Sequence, residues 1–338
     1  MITPIDAKDT MKPTPSVLID VRTPLEYQHA HIPNAYNIPL LSNSERIVIG
    51  TLYKQQGRKA AVLKGYEVLA PRWAQFIHEA ETIAPDGNVR LYCWRGGMRS
   101  GSMAWALNNY GFQVEIIQGG YKAFRNQVLA LFAQPFPLVM LSGRTGSGKT
   151  KILQELMQRG EAVIDLEALT NHQGSSFGSL GYKVQPSQEQ FENDLATQLA
   201  ALQHRKRIWI ESESVVIGKR VIPSLFFQQM QQVPVFDLII PEACRVESLV
   251  HEYGNLDKGF LQQALLGISK RLGPLQTKEA LQALHENRMH DFIRWALQYY
   301  DKHYLKSLDR RKSGNVHSLE FTDWNLDQIL NELLAASS

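Results

Sequence analysis

The sequence has little cysteine: two residues in 338, Cys93 and Cys244, far apart along the chain. That excludes a disulfide framework, and free thiols fit a reducing, cytoplasmic setting. Long apolar runs are missing too. No stretch approaches the roughly 20 residues that cross a bilayer, and the first residues, MITPIDAKDTMKPTP, lack the basic-then-apolar pattern of a secretory signal. No membrane association is expected. Charge is nearly balanced, with 36 Lys and Arg against 33 Asp and Glu, a net +3. Such a balance permits a polyanionic partner without demanding one. The ten histidines are scattered. With no His/Cys cluster at zinc spacing, no tightly bound metal is expected. There is no internal repeat and no low-complexity tract.

What is present is an ordinary globular composition, long enough for two domains. In the first block, "SVLIDV" (16–21), "NVRLYC" (88–93) and "QVEIIQ" (113–118) are short, continuous and β-branched, as buried strands are. Helical stretches are predicted between them, over 66–81 and 100–110. This alternation predicts a parallel sheet covered by helices. "FAQPFP" (132–137) places two prolines in three residues and marks a boundary. Beyond it, strands are predicted over 138–141, 162–166, 207–212, 235–240 and 317–323. Helices are predicted over 188–204, over most of 242–308, and after the last strand. The fold class is therefore α/β throughout: residues 1–131 as one parallel-sheet domain, and 132–338 as a second α/β domain with a helical C-terminal extension.

"VRLYCWRGGMRS" (89–100) poses the main chemical question. Cys93 ends a strand and enters a glycine-rich turn that leads into a helix. Amides around Gly96 and Gly97 are placed to converge on an anion, and Arg95 and Arg99 add positive charge, with Ser100 following. Those are the surroundings that lower a thiol pKa. The alternative is a small buried hydrophobe, the usual state of a free cysteine. Cys244, in "PEACRVESL", has neither cations nor metal-spaced partners and is expected to be structural.

Three separated segments carry a resemblance: "DVRTPLEYQHAHIPNA" (20–35), the cysteine loop, and "QGGYKAFR" (118–125). Together they resemble the rhodanese family, whose cysteine carries a persulfide or related chalcogen adduct. Asp20, Arg22, Glu26 and His31 then read as scaffold. The spacing Cys-x5-Arg-Ser is one residue longer than in many rhodaneses and matches that of cysteine phosphatases. The longer loop suits a phosphate-sized anion, a selenophosphate or thiophosphate included.

"GRTGSGKT" (143–150) is a complete phosphate loop after an apolar strand and at the start of a helix, the context the motif requires. Backbone amides of Gly143, Arg144, Thr145, Gly146, Ser147, Gly148, Lys149 and Thr150 are expected to cradle a diphosphate. Lys149 supplies charge, and the Thr150 hydroxyl is placed for Mg²⁺. Asp165 and Glu211 end later strands without reproducing the usual second acidic motif, so the loop argues for diphosphate binding more than for hydrolysis. "DLEALTNHQGSSFG" (165–178) and "ESESVVIGKR" (211–220) lie beyond strand ends, where ligands of open α/β sheets bind. Asn171, His172, Ser175, Glu213, Lys219 and Arg220 are the candidate substrate contacts there. "KHYLKSLDRRK" (302–312) groups Lys302, Lys306, Arg310, Arg311 and Lys312 as either a nucleic-acid phosphate face or a solvated helix end.

A rhodanese block followed by a P-loop block, with these loops, resembles the tRNA 2-selenouridine synthase family over essentially the whole chain. The resemblance implies a cytoplasmic transferase acting on the wobble 2-thiouridine of tRNA. It implies selenophosphate and geranyl diphosphate as co-substrates, an S-geranyl intermediate, and Cys93 as the residue the chemistry depends on. A selenophosphate-supplying enzyme is the partner it implies. Two other classes fit the same motifs: a kinase or ATPase with a regulatory rhodanese domain, and a Cys-x5-Arg phosphatase.

Overall fold

The computed structural model describes residues 2–172, 184–308 and 315–337, with the backbone alone for 303 and 305–308. The chain divides into two units, Met1–Gln134 with Pro186–Ala201, and Pro135–Gln185 with Leu202–Ser338.

In chain order the first unit begins with β1 (Ile2–Ile5), β2 (Val17–Asp20), α1 (Pro24–His29) and β3 (Tyr36–Asn37). Next come α2 (Asn43–Gln56), α3 (Arg58–Leu69), α4 (Trp73–Ile83) and β4 (Asn88–Tyr92). It continues with α5 (Met98–Tyr110), β5 (Gln113–Ile117) and α6 (Gly120–Leu131). The second unit opens with β6 (Leu138–Gly143), α7 (Lys149–Gln158), β7 (Ala162–Ile164) and α8 (Leu166–Thr170). Helix α9 (Gln188–Leu202) follows, and all but its last residue belongs to the first unit. The second unit resumes with β8 (Ile208–Glu211), β9 (Val216–Ile217), β10 (Arg220–Val221), α10 (Ser224–Met230) and β11 (Val235–Ile239). Helices α11 (Glu242–Tyr253), α12 (Lys258–Leu272), α13 (Pro274–His285) and α14 (Met289–Leu308) precede β12 (Val316–Glu320) and α15 (Leu326–Ala336).

Both large sheets are five-stranded and wholly parallel. The order is β1-β5-β4-β2-β3 in the first unit and β12-β11-β6-β8-β7 in the second. Sheets of this kind are buried on both faces, which is why their strands read as continuous apolar runs. In each, the middle strand (β4 or β6) runs into a glycine-rich loop and then a helix. That is the position at which open α/β sheets present ligand sites.

The first core packs Ile19, Leu91, Val114 and the β4 flank against Phe76, Met103 and Leu107. In the second unit one cluster joins Leu141, Trp209 and Phe236 to α7 and α15, and another sits among α11 to α14. The helix predicted over 66–81 is interrupted. Pro71 lies in a short 3₁₀ turn, 70–72, between α3 and α4. A proline has no N–H to continue the ladder and crowds the preceding turn.

Candidate functional site

Cys93 leaves β4 with its sulfur buried. The Gly97 N–H donates to Sγ at 3.3 Å, and the Ser100 Oγ lies 3.3 Å from it. Burial alone would push this thiol up. The Ser100 hydroxyl, the amides of Ser100 and Arg95, and the charge of Arg99 outweigh it, and the thiol titrates below its ordinary value. The Ser100 Oγ also contacts the Gly97 carbonyl at 3.1 Å. With one hydroxyl proton it serves either the carbonyl or the sulfur.

The loop is shaped by two glycines that nothing else replaces. Gly96 has φ +64, and a Cβ there would fall 2.6 Å from the Ile117 carbonyl. Gly120 has φ +58, and a Cβ there would fall 2.2 Å from the Cys93 carbonyl. This close approach lets Tyr121 N–H donate to the Cys93 carbonyl at 2.9 Å and Lys122 N–H to that of Trp94 at 3.0 Å. The 118–125 segment is thus the outer wall of the cysteine loop.

Arg95 and Gly97 are exposed. Arg99 instead turns to Glu26, donating at 2.7 and 3.3 Å. Glu26 is also the third residue of α1 and closes a capping box with Thr23. Arg46 stands 3.8 Å from the same carboxylate. Burial would raise the Glu26 carboxyl, but Arg99 and the other donors hold it below its ordinary value. Asp20 and Arg22 form a fully buried pair at 2.6 Å, with Arg22 stacked over Tyr121 at 3.9 Å and donating to the Ala30 carbonyl. Its Nε and Nη2 donors are used in holding the loop after β2. His31 stacks on Tyr27 at 4.0 Å. Helix α9 supports this face: Asn193 accepts from Arg125 at 2.6 Å and donates to the Tyr121 hydroxyl and the His31 carbonyl.

In the second unit, β6 runs into the phosphate loop. Gly146 and Gly148 have φ +83 and +80, and a Cβ on Gly148 would meet the Trp324 indole at 2.7 Å. The Trp324 N–H donates to the Ser147 carbonyl at 3.2 Å, bracing the loop from outside. Thr145 is braced through its carbonyl by buried Arg245, which also makes a two-pronged pair with Asp301 at 2.9 and 2.8 Å. Arg144 reaches the same Asp301 at 3.5 Å. Lys149 Nζ donates to the Gly143 carbonyl at 2.9 Å, folded back over the loop. The Ser147 Oγ is buried with no hydrogen-bond partner among the described residues.

Acidic groups gather beside it. The Thr150 hydroxyl lies 3.4 Å from Glu167, whose N–H donates to Glu211 at 2.7 Å. Burial and the charges of Asp165, Glu167 and Glu213 push Glu211 well up. Burial and Glu167 push Glu213 to about 7 against the opposing pull of Lys149. Repelling carboxylates beside a hydroxyl are a hard oxygen donor set, and they fit Mg²⁺. Among the described residues no three His, Cys, Asp or Glu side chains could hold a metal by themselves, so phosphate oxygens and water would complete its shell. Asp165 caps α8 through the Ala168 N–H.

Asn171 ends α8 in the left-handed region at φ 50. Gln185 ties that end to the β9–β10 turn, donating to the carbonyls of Thr170 and Ile217 and accepting from the Lys219 N–H at 2.7 Å. His172 Nδ1 and Arg220 Nε are buried here with no hydrogen-bond partner among the described residues. The two loops singled out in the sequence therefore meet, through Gln185, which lies in neither, and Glu167, which lies in the first but is not among the candidate contacts named there. Glu167 looks like an ordinary first-turn acid. Ser175, Arg310, Arg311 and Lys312 lie outside the described residues, as does the Lys306 side chain; Lys302 is exposed on α14.

A parallel-sheet unit with an activated cysteine at its central strand, and a P-loop unit with an acidic flank, define a two-unit enzyme of the rhodanese and P-loop classes. Residues 3–127 match the rhodanese-like domain family, and 136–324 match the tRNA 2-selenouridine synthase AAA domain. The chain is 36% identical over 333 residues to a tRNA 2-selenouridine synthase of Shewanella sediminis (strain HAW-EB3), covering 88% of this chain and 89% of that protein. It is 32% identical over 354 residues to one from Nitrosomonas eutropha (strain DSM 101675 / C91 / Nm57), covering 87% and 89%. A solved N-terminal domain from Clostridium difficile 630 is 40% identical, covering 38% of this chain and 99% of that domain, with a TM-score of 0.36. The chain belongs to the tRNA 2-selenouridine synthase family, a family of enzymes.

Proposed function

We propose that this enzyme replaces the sulfur of wobble 2-thiouridine in tRNA by selenium, in two steps. In the first, the thiocarbonyl sulfur attacks C1 of geranyl diphosphate. A C–S bond forms, the C–O bond to diphosphate breaks, and the N3 proton of the base is released. In the second, selenium from selenophosphate adds at C2 and geranylthiol leaves. Water then cleaves the P–Se bond to give phosphate and the selenocarbonyl.

The single observation that carries this reading is the activated thiol of Cys93, in a loop sized for a phosphate-like anion, on a chain of this family that also holds a complete diphosphate loop. Cys93, Gly97 and Ser100 are the groups for the selenium step, with Arg95 and Arg99 as its cations. For the prenyl step the phosphate loop needs only to bind and neutralise a leaving diphosphate, which Lys149 and the loop amides are suited to do. Mg²⁺ held at Thr150 would add positive charge there. Asn171, His172, Lys219 and Arg220 are the proposed base or ribose contacts, and the 302–312 basic cluster the tRNA phosphate contacts. A cytoplasmic location and a selenophosphate-supplying partner complete the reading. No helix among the described residues is long and apolar enough to cross a membrane.

The test is nucleoside analysis, by mass spectrometry, of tRNA from cells that carry only this enzyme or its Cys93→Ala variant. Selenouridine is expected with the wild type, and none with the variant despite a folded protein. Normal selenouridine in the variant cells would overturn the role given to Cys93. Absence of both geranylated and selenated thiouridine with the wild type would overturn the two-step reading.

A further inference from the structure

We propose that the cleft between α2, α3 and the start of α5 receives the prenyl chain of the S-geranylated uridine while its sulfur is exchanged at the Cys93 loop. The inference rests on the two-step reading above and adds a binding site to it.

Helices α2 and α3 form a hairpin against the sheet unit, and a cavity of about 610 Å³ opens between them and α5. That volume is in the range of small-ligand sites, ~300–1,000 Å³. Its walls are mostly apolar, including Leu41, Ile47, Ile49, Val62 and Leu69. Ile47, Tyr53 and Tyr66, which line it, are left 63%, 57% and 61% exposed. Large apolar side chains grouped around a concave surface mark a ligand site more often than a solvated face.

Two features choose the occupant. The first is continuity with the chemistry. Met98 and Arg99 line the cavity and open α5, directly after the loop that carries Cys93. A second, more polar cleft bordered by Glu26 and Trp94 shares Arg46 and Ile47 with it. The cysteine loop thus contributes Trp94 to a cleft that Glu26, His29 and Asn43 also line, and the helix start that follows it contributes Met98 to the apolar one. A ligand with a polar heterocycle joined through sulfur to a hydrocarbon chain has the same division. The second feature is charge. Arg46, Lys54 and Arg99 border the cavity, and no carboxylate does. Arg46 and Arg99 both stand on Glu26, so that triad keeps one net positive charge, with Lys54 adding another. An apolar chain carried by a polyanion meets this rim favourably, whereas an uncharged apolar peptide gains nothing from it.

The experiment compares binding and single-turnover conversion of anticodon stem-loop RNA carrying S-geranyl-2-thiouridine or S-methyl-2-thiouridine by the full chain. The wild type is expected to prefer the geranyl form by at least about tenfold in Kd, since most of a ten-carbon chain leaves water. Thr51→Trp places an indole in the cavity from an exposed helix position, and Tyr66→Asp puts a carboxylate in its wall at a residue the second cleft does not share. Both are expected to reduce the preference to within about twofold while leaving S-methyl RNA binding unchanged. Retention of the full preference in both variants would overturn the assignment of the cleft. So would a wild type that converts geranylated RNA without preferring it. A wild type that neither binds nor converts geranylated RNA would overturn the two-step reading itself.

Discussion

Arg99 reaches both carboxylate oxygens of Glu26, at 2.7 and 3.3 Å, while its charge helps to lower the Cys93 thiol. One cation is therefore shared between a scaffold carboxylate and a reactive sulfur, and the two neighbours pull its influence in opposite directions. Arg99→Ala removes a side-chain charge that favours the thiolate, so the thiol pKa should rise. Glu26→Gln removes the opposing negative charge, so it should stay low or fall further. The pH dependence of iodoacetamide alkylation at Cys93 measures this, with Cys244→Ser as background. Cys244 has no cationic loop around it, and its substitution is expected to be nearly silent in activity. Equal midpoints in both loop variants would mean that hydrogen bonds alone set the thiol.

The contact between Gly120 and Cys93 is stricter. A methyl group on Gly120 would fall 2.2 Å from the Cys93 carbonyl, on a backbone at φ +58. Gly120→Ala should destabilise by about 1–3 kcal/mol through strain and displacement of the loop. The Tyr121 and Lys122 hydrogen bonds to that loop would go with it. Urea unfolding and the Cys93 alkylation rate report the two effects separately. Gly65 has open space at its Cβ, and Gly65→Ala in α3 serves as the control expected to be neutral or slightly stabilising. Unchanged alkylation in Gly120→Ala would show that the loop does not depend on the 118–125 wall.

How far the sequence disclosed all this follows from physics. The central strands β4 and β6 were legible because parallel strands buried on both faces are continuous apolar runs, and the phosphate loop because its glycines are forced by φ. Helix α2 was not read, because Ile47 and Tyr53 line a cavity and Val48 is exposed, so its apolar residues follow no amphipathic period. Helix α9 was read as a helix but not as part of the first unit. Its polar face, Glu189, Glu192 and Asn193, meets Tyr121 and Arg125. Hydrogen-bonded burial of that kind leaves no hydrophobic signature. The acidic flank of the phosphate loop was half legible. Glu211 and Asp165 sit at strand ends, but Glu167 joins them only through the turn of α8.

That acidic flank gives the second unit a pH dependence. Burial and Glu167 raise the Glu213 carboxyl to about 7, well above an unfolded glutamate. Between the two pKa values the native state holds the proton that the unfolded chain has lost. Stability contributed by the protonated form is therefore full below about pH 4.5 and declines as pH rises through about 7. Glu213→Gln mimics the protonated form at every pH. It should match the wild type in urea unfolding at pH 5 and exceed it at pH 8 by an amount of order 1–3 kcal/mol. Glu211, pushed up by burial and the same neighbours, contributes with the same sign and remains in both proteins. Mg²⁺ with diphosphate should narrow the gap at pH 8 if the carboxylates face a bound cation. A variant no more stable than wild type at pH 8 would mean that Lys149 compensates the charge fully.

On the reading proposed above, Lys149 meets the diphosphate of a prenyl donor rather than an ATP γ-phosphate. Its ammonium donates to the Gly143 carbonyl at 2.9 Å, a bond it can exchange for a phosphate oxygen without leaving a buried charge bare. A charge-assisted contact contributes roughly 1.5–3 kcal/mol, so Lys149→Ala should weaken geranyl diphosphate binding by about 10- to 100-fold. Charge on the leaving oxygen grows as the C–O bond breaks, so the geranylation rate should fall further than binding does. Selenation of tRNA that is already S-geranylated should be unaffected, because that step draws on Cys93 and its loop. Single-turnover conversion of 2-thiouridine tRNA and of pre-geranylated tRNA by the variant, with and without ATP, separates these outcomes. Failure of pre-geranylated tRNA to restore selenation, or a strict ATP requirement in the wild type, would count against assigning the loop to the prenyl donor.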